Sequence, residues 1–372
     1  MILDDPEVAG VREEFADVLE SLLGRTSPES EVVHRADACA AGHLDEALWT
    51  KLTEELGVTG LTAPERVGGS GATFGEMSVV LHAQGAHLLA IPLLGSWLAL
   101  EAVLRSGSEP AVAAWARGLA SGATIGGIAF HGRLAASAGE ETTVSGTLEV
   151  ALDAVDAEVL VARVQGPDGP GLCAVDLSGA VVEQTESLDL VRRLARVRLV
   201  DAAAIRLADG DELFDTVVDL AAAALACEQL GVAEKALADA VGYAMEREQF
   251  GRIIGSFQGL KHELANMATI TDQARSLVEH AMWSVVEAPD QLRVTAAMAL
   301  LKASEAALHV SAENVQVHGG IGFSWEHPAH LHFRKARSNA VLIGDEHFLA
   351  DRVLQASARW ESVRDSVLPE IS

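Results

Sequence analysis

Tyrosine occurs once in this sequence of 372 residues, and aromatic residues make up only 4% of it. Scarce flat rings and a surplus of alanine point to helices packed on helices. Basic residues are also few: 27 Lys and Arg stand against 54 Asp and Glu, a net charge of −27. That balance gives no footprint for nucleic acid or for an anionic membrane surface, and a soluble, acidic, cytoplasmic protein is expected. Cysteine is limited to Cys39, Cys173 and Cys227, far apart and in no CxxC or zinc spacing. They read as small core residues in a reducing compartment, with no metal site. The apolar stretches at 91–104 and 217–230 are too short or too interrupted to span a bilayer. The start, MILDDPEVAGVREEF, is acidic where a secretory signal would be basic and then apolar.

What is present is apolar. Hydrophobic residues are 49% of the chain, and its length exceeds what one core usually holds, so two or three domains are expected. Segments such as PEVAGVREEFADVLESLLGR and HLDEALWTKLTEELG carry apolar residues at three- and four-residue steps, so residues 1–122 read as an N-terminal helical domain. The Pro- and Gly-rich APERVGGSGATFGE is a loop within it. Residues 123–205 change to short β-rich runs, among them TIGGIAFHG, AEVLVARV and GLCAVDL, and read as a small middle β domain. Residues 206–372 return to long helices, with Leu220, Leu230, Ala233, Leu237, Ala240 and Ala244 on roughly one stripe. The fold class is α+β, mainly α, in the order helical, β, helical, with no internal repeat and no low-complexity linker.

Four segments then resemble one known family. LWTKLTEELGVTGLTAPERVGGSGATFGEMSVVLHAQG (48–85), DLVRRLARVRLVDAAA (189–204), YAMEREQFGRIIGSFQGLKHELANMA (243–268) and QVHGGIGFSWEHPAHLHFRKAR (316–337) are similar, in order and separation, to the motifs of the acyl-CoA dehydrogenases. The resemblance implies a C-terminal four-helix-bundle domain and bound FAD. It also implies an α,β double bond formed in an acyl-CoA thioester, with an electron-transfer flavoprotein as acceptor. A carboxylate takes the α proton, and so must be desolvated and held against that carbon. Hydrogen-bond donors must meet the thioester oxygen as charge develops on it. In this family each FAD lies across a subunit interface. The resemblance makes Arg247, Gln249 and Phe250 of REQFG, with Gln316, Gly319 and Gly320 of QVHGG, contacts to a partner's FAD. Arg suits a diphosphate, and adjacent glycines let backbone N–H groups come close to an anion. The plainer alternatives are a surface ion pair of Arg247 with Glu246 or Glu248, a simple turn at 319–322, and a structural hydrogen bond for His318.

The departures from the family pattern are as informative. In RKARSNAVLIGDEHF the reference arginine is Arg334 and the glycine is Gly344, so the usual base position falls on Ile343, which cannot take a proton. Asp345 and Glu346 are displaced from it. The alternative base position on the preceding helix falls on Ala221, followed by Ala222. Glu228 lies two turns further along, about 10 Å by the rise per residue, and reads as structural. The flavin-ring segments are eroded too. IAFHGRLAASAGEE (128–141) stands for the usual Thr-Glu-Pro-x-x-Gly-Ser-Asp, and GTLEVALDAVDAE (146–158) puts Leu148 for a Lys and Leu152 where a hydroxyl belongs. The resemblance therefore implies a non-catalytic subunit, most similar to those of heteromeric, α2β2 actinobacterial enzymes acting on steroid side-chain acyl-CoA. A homologous catalytic subunit would supply the base, and the two would share FAD. Two alternatives stay open: a self-sufficient homotetramer whose base has moved to Glu228, Asp345 or Glu346, and a flavin-free scaffold or acyl-CoA-binding subunit.

Overall fold

The computed structural model describes residues 6–137 and 142–367. Helices α1 (Pro6–Thr26), α2 (Val32–Ala40), α3 (Glu46–Leu56), α4 (Phe74–Ala86) and α5 (Leu93–Ser106) come first. Short α6 (Glu109–Ala111) runs through a π-helical turn into α7 (Arg117–Ser121). Local chemistry sets their ends. The Leu48 N–H donates to the Asp45 side chain to start α3, and Gly57 at φ 60° stops it. At α4, Thr73 and Glu76 form a capping box: the Gly75 N–H donates to the Thr73 hydroxyl and the Thr73 N–H to the Glu76 carboxylate.

Seven strands follow: β1 (Gly126–Ile128), β2 (Leu134–Ala136), β3 (Thr142–Leu152), β4 (Val159–Gly166), β5 (Gly169–Asp176), β6 (Val181–Gln184) and β7 (Leu194–Asp209). They close on themselves. β3 pairs with β7, β7 with β5 and β5 with β4, while β1 and β2 both pair β4 on one side and β3 on the other. β1 and β2 thus occupy one lane of the barrel in succession, and residues 129–133 leave the wall between them. β6, paired with β7 alone, is the edge strand that closure leaves, and Leu134, Val144, Leu160, Val164 and Val197 fill the interior.

The C-terminal region is α8 (Glu212–Glu246), a two-stranded ribbon of β8 (Glu248–Gln249) and β9 (Arg252–Ile253), α9 (Gln258–Glu287), α10 (Leu292–His318), α11 (Ala329–Asn339) and α12 (Glu346–Val367). α8 is buried on every side from Val217 to Ala233 rather than along one stripe, because α4, α5, α10 and α11 enclose it. The apolar run seen at 217–230 belongs to this helix of 35 residues, long and apolar enough to cross a membrane but with 94% of its apolar window buried inside the protein. α4 and α8 meet backbone to backbone. A Cβ on Gly85 would lie 1.9 Å from the Glu228 carbonyl oxygen, and one on Gly231 would lie 2.1 Å from that of His82. Two glycines, one on each helix, set this spacing.

Candidate functional site

The two motif segments sit at neighbouring helix ends. α8 stops at Glu246, Arg247 turns extended (φ −72°, ψ 125°), and the chain folds into the β8–β9 ribbon. Its two-residue turn has Phe250 at φ 52° and Gly251 at φ 74°. Both being positive is the primed hairpin geometry that matches strand twist. Phe250 is held at this tip 92% exposed. α10 stops at His318, where Gly319 (φ 64°, ψ −138°) takes a conformation closed to side-chain-bearing residues and leads into a 3-10 turn. Tyr243 of α8 stacks on His318 of α10 with ring centroids 4.4 Å apart, and His327 packs on His318 at 4.5 Å. His318 Nδ1 lies 2.9 Å from the Asn314 carbonyl, so it donates there.

The structure thereby brings together the segments carrying the six residues named for cofactor contact. Arg247, Gln249, Phe250, Gln316 and Gly320 are exposed and Gly319 is half-buried. Among the described residues Arg247 has no ion pair, although Glu246 and Glu248 flank it. Ile321, Phe323 and Trp325 stand exposed on the adjoining turn.

The carboxylates considered as a displaced base are otherwise engaged or misplaced. Ile343 is buried in the apolar core, as are Ala221 and Ala222. Asp345 caps α12, accepting from the Phe348 N–H at 2.9 Å, and Glu346 is the exposed first residue of that helix. Glu228 is 0% exposed. Arg192 reaches it at 2.5 Å and Lys335 at 2.6 Å. Burial pushes its carboxyl up, but Arg192 and Lys335 together hold it below the ordinary glutamate value.

Glu228 belongs to a buried charge cluster at the junction of the three regions. Asp189 lies 3.5 Å from Lys335 and accepts from the Val191 N–H. Arg192 also donates to Asn339 at 3.1 Å. The next residue, Arg193, goes the other way, pairing with Asp156 and donating to the Gly42 carbonyl. None of these partners was singled out from the sequence as a site residue. Arg334, used there as a reference point, is half-exposed and lies over the Trp325 ring, while its neighbour Lys335 is the one fully buried.

Asp153 completes the cluster, accepting from the Gly95 N–H at 2.9 Å. Burial raises its carboxyl from 3.8 to about 6, against the pull of Arg192. A raised acid pKa means that the folded state holds a proton the unfolded state has lost, so this group's contribution falls as pH rises from 3.8 to about 6. Asn at this position keeps the acceptor and tolerates the positive φ of 55°. Asp153→Asn should therefore gain stability relative to the parent, by about 1–3 kcal/mol, across that interval. Denaturation midpoints at pH 4.5 and pH 7.5 check it, and an equal difference at both would refute it.

The segments that the resemblance sets beside a flavin ring are engaged differently. In the break between β1 and β2, His131 Nε2 lies 3.2 Å from the Leu342 carbonyl, directly before Ile343. Arg133 grips both carboxylate oxygens of Asp211 at 2.7 Å. Arg163 donates to the Phe130 carbonyl and stacks on Phe214 at 4.5 Å. Leu148 and Leu152 are buried in the cores. The last four residues of the eroded segment, 138–141, lie outside the described residues. Elsewhere, Glu263, His309 and Glu313 group their ligand atoms within 4.8 Å on the half-exposed faces of α9 and α10.

Comparison with known proteins decides the family. The profile described as Acyl-CoA dehydrogenase, N-terminal domain matches residues 25–123, and that described as Acyl-CoA dehydrogenase, C-terminal domain matches residues 208–358. The acyl-CoA dehydrogenase IpdE2 of Mycolicibacterium smegmatis is 36% identical over 335 residues, covering 90% of this chain and 93% of that protein. The chain belongs to the acyl-CoA dehydrogenase family. IpdE2 of Mycobacterium tuberculosis is 32% identical over 94% of this chain and 98% of its own. Among solved structures, a variant of the Tcur3481–Tcur3483 steroid ACAD superposes with TM-score 0.84 at 28% identity, covering 94% of this chain and 99% of that one. The ChsE4–ChsE5 complex from Mycobacterium tuberculosis gives TM-score 0.84 at 26%, covering 93% and 97%. Acyl-CoA dehydrogenases generally bind FAD, and the residues here fit it unequally. An unpaired arginine and a backbone opened by Gly319 suit its diphosphate end. The residues around 129–133, 148 and 152 offer the ring no hydroxyl and are bridged or buried.

Proposed function

We propose that this chain is the non-catalytic subunit of a heteromeric acyl-CoA dehydrogenase, assembled as α2β2 in the cytoplasm. In this reading it completes the FAD site of a homologous catalytic subunit. One observation carries the reading: of the six residues named for a partner's cofactor five are exposed and Arg247 has no ion pair among the described residues, whereas His131, Arg133 and Arg163, near the segments named for its own flavin, are bridged to neighbouring elements. His131 joins the β1–β2 break to the loop that carries Ile343. When bound, FAD takes the β hydride of the acyl group. Arg247 balances diphosphate charge, the backbone at Gly319 and Gly320 approaches it closely, and Phe250 and Phe323 exclude water from the seam. The partner subunit supplies the proton acceptor, and an electron-transfer flavoprotein re-oxidises the complex. The likeness to a steroid ACAD and to a two-component complex supports a steroid side-chain or similarly bulky acyl-CoA as substrate.

The test is the visible spectrum of the chain purified alone and with a co-expressed homologous subunit. A colourless chain and a yellow complex are expected. A yellow lone chain that bleaches on adding acyl-CoA would overturn the proposal in favour of a self-sufficient enzyme. A partner subunit that is equally yellow and equally active with and without this chain would favour a scaffold.

A further inference from the structure

We propose that Arg252 is a second diphosphate-binding arginine, acting beside Arg247 on one face of the β8–β9 ribbon. The proposal rests on the shared-cofactor reading above. Gln249 and Arg252 are direct cross-strand partners, as are Glu248 and Ile253. Side chains of directly paired residues leave a ribbon on the same face, and residues two apart on an extended strand share a face. Arg247, Gln249 and Arg252 therefore line one face, and Glu248 and Ile253 the other. The chain stays paired beyond the ribbon, since the Ile254 N–H donates to the Arg247 carbonyl at 2.8 Å.

The Arg252 guanidinium is placed as well as exposed. It lies over the Phe257 ring at 3.9 Å, and Phe257 is braced edge-on by Phe250 at 6.3 Å. Stacking on one flat side leaves the in-plane N–H groups of the fork free. Among the described residues Arg252 has no carboxylate partner, in a chain where acids outnumber bases 54 to 27. Two unpaired, always-charged forks on one face match a diphosphate, which carries one charge on each phosphate.

The experiment titrates FAD into the cofactor-stripped complex of this chain with its catalytic homologue. Arg252→Gln, Arg252→Lys and Arg247→Ala are compared with the parent at low and high salt. Arg252 is exposed, so the variants are expected to fold, and circular dichroism verifies it. Arg252→Gln should weaken FAD binding about tenfold at low salt and reduce the salt dependence, with Arg252→Lys intermediate. A merely structural role would leave the salt dependence unchanged, and that result overturns the proposal. Weakening by Arg247→Ala alone also overturns it, while sparing the shared-cofactor reading. No effect from any variant overturns both.

Discussion

Replacing Arg192 by methionine should destabilise the chain by about 3–5 kcal/mol, the usual cost of stripping one partner from a buried ion pair. Glu228 and Asp189 would then share Lys335 alone, leaving one uncompensated negative charge among groups that are almost wholly buried. That loss is a large part of the roughly 5–15 kcal/mol of an ordinary domain. Urea denaturation of the chain measures it. Acid should erode the same cluster. Glu228 has a lowered pKa when folded. Its contribution is therefore fully present above the unfolded glutamate value and is lost as pH falls through the lowered one. The double change Arg192→Met with Glu228→Met should recover much of the stability, since apolar replacement of both partners removes the desolvation cost too. If Arg192→Met costs less than about 1 kcal/mol, the cluster does not hold the junction.

Arg247→Ala should weaken FAD retention by the co-purified complex about 10- to 100-fold, the worth of charge-assisted hydrogen bonds to one guanidinium. The side chain is exposed and unpaired, so secondary structure and thermal midpoint of the flavin-free complex should not move. Flavin absorbance per complex after gel filtration reads the effect directly. Unchanged flavin content would remove Arg247 from the site.

Much of this architecture could be read in the sequence because its signals are local. The change from helical to alternating periodicity near residue 123 and back marks the β barrel. Thr73 with Glu76, and Gly57, announce helix ends by their own chemistry. REQFG and QVHGG were recognisable as motifs, but their adjacency depends on Tyr243 meeting His318, a tertiary contact with no local trace. The charge cluster was illegible for the same reason. Arg192 and Arg193 look alike in sequence, and Glu228 looks like one more acid on a helix. Only the fold shows that one arginine turns to the C-terminal helices and the other to Asp156 and the loop after α2. The erosion at Leu148 and Leu152 was visible, whereas the shared lane of β1 and β2, which places His131 against Leu342, was not.

The paired glycines of α4 and α8 have a bearing on how such a subunit can change over time. With carbonyls where side chains would normally intervene, no rotamer adjustment can alter the distance between the first and last regions. Substitutions around residues 129–133 or in the 340–345 loop leave that spacing untouched. The scaffold can therefore stay fixed while the residues at 129–133 and 340–345 change.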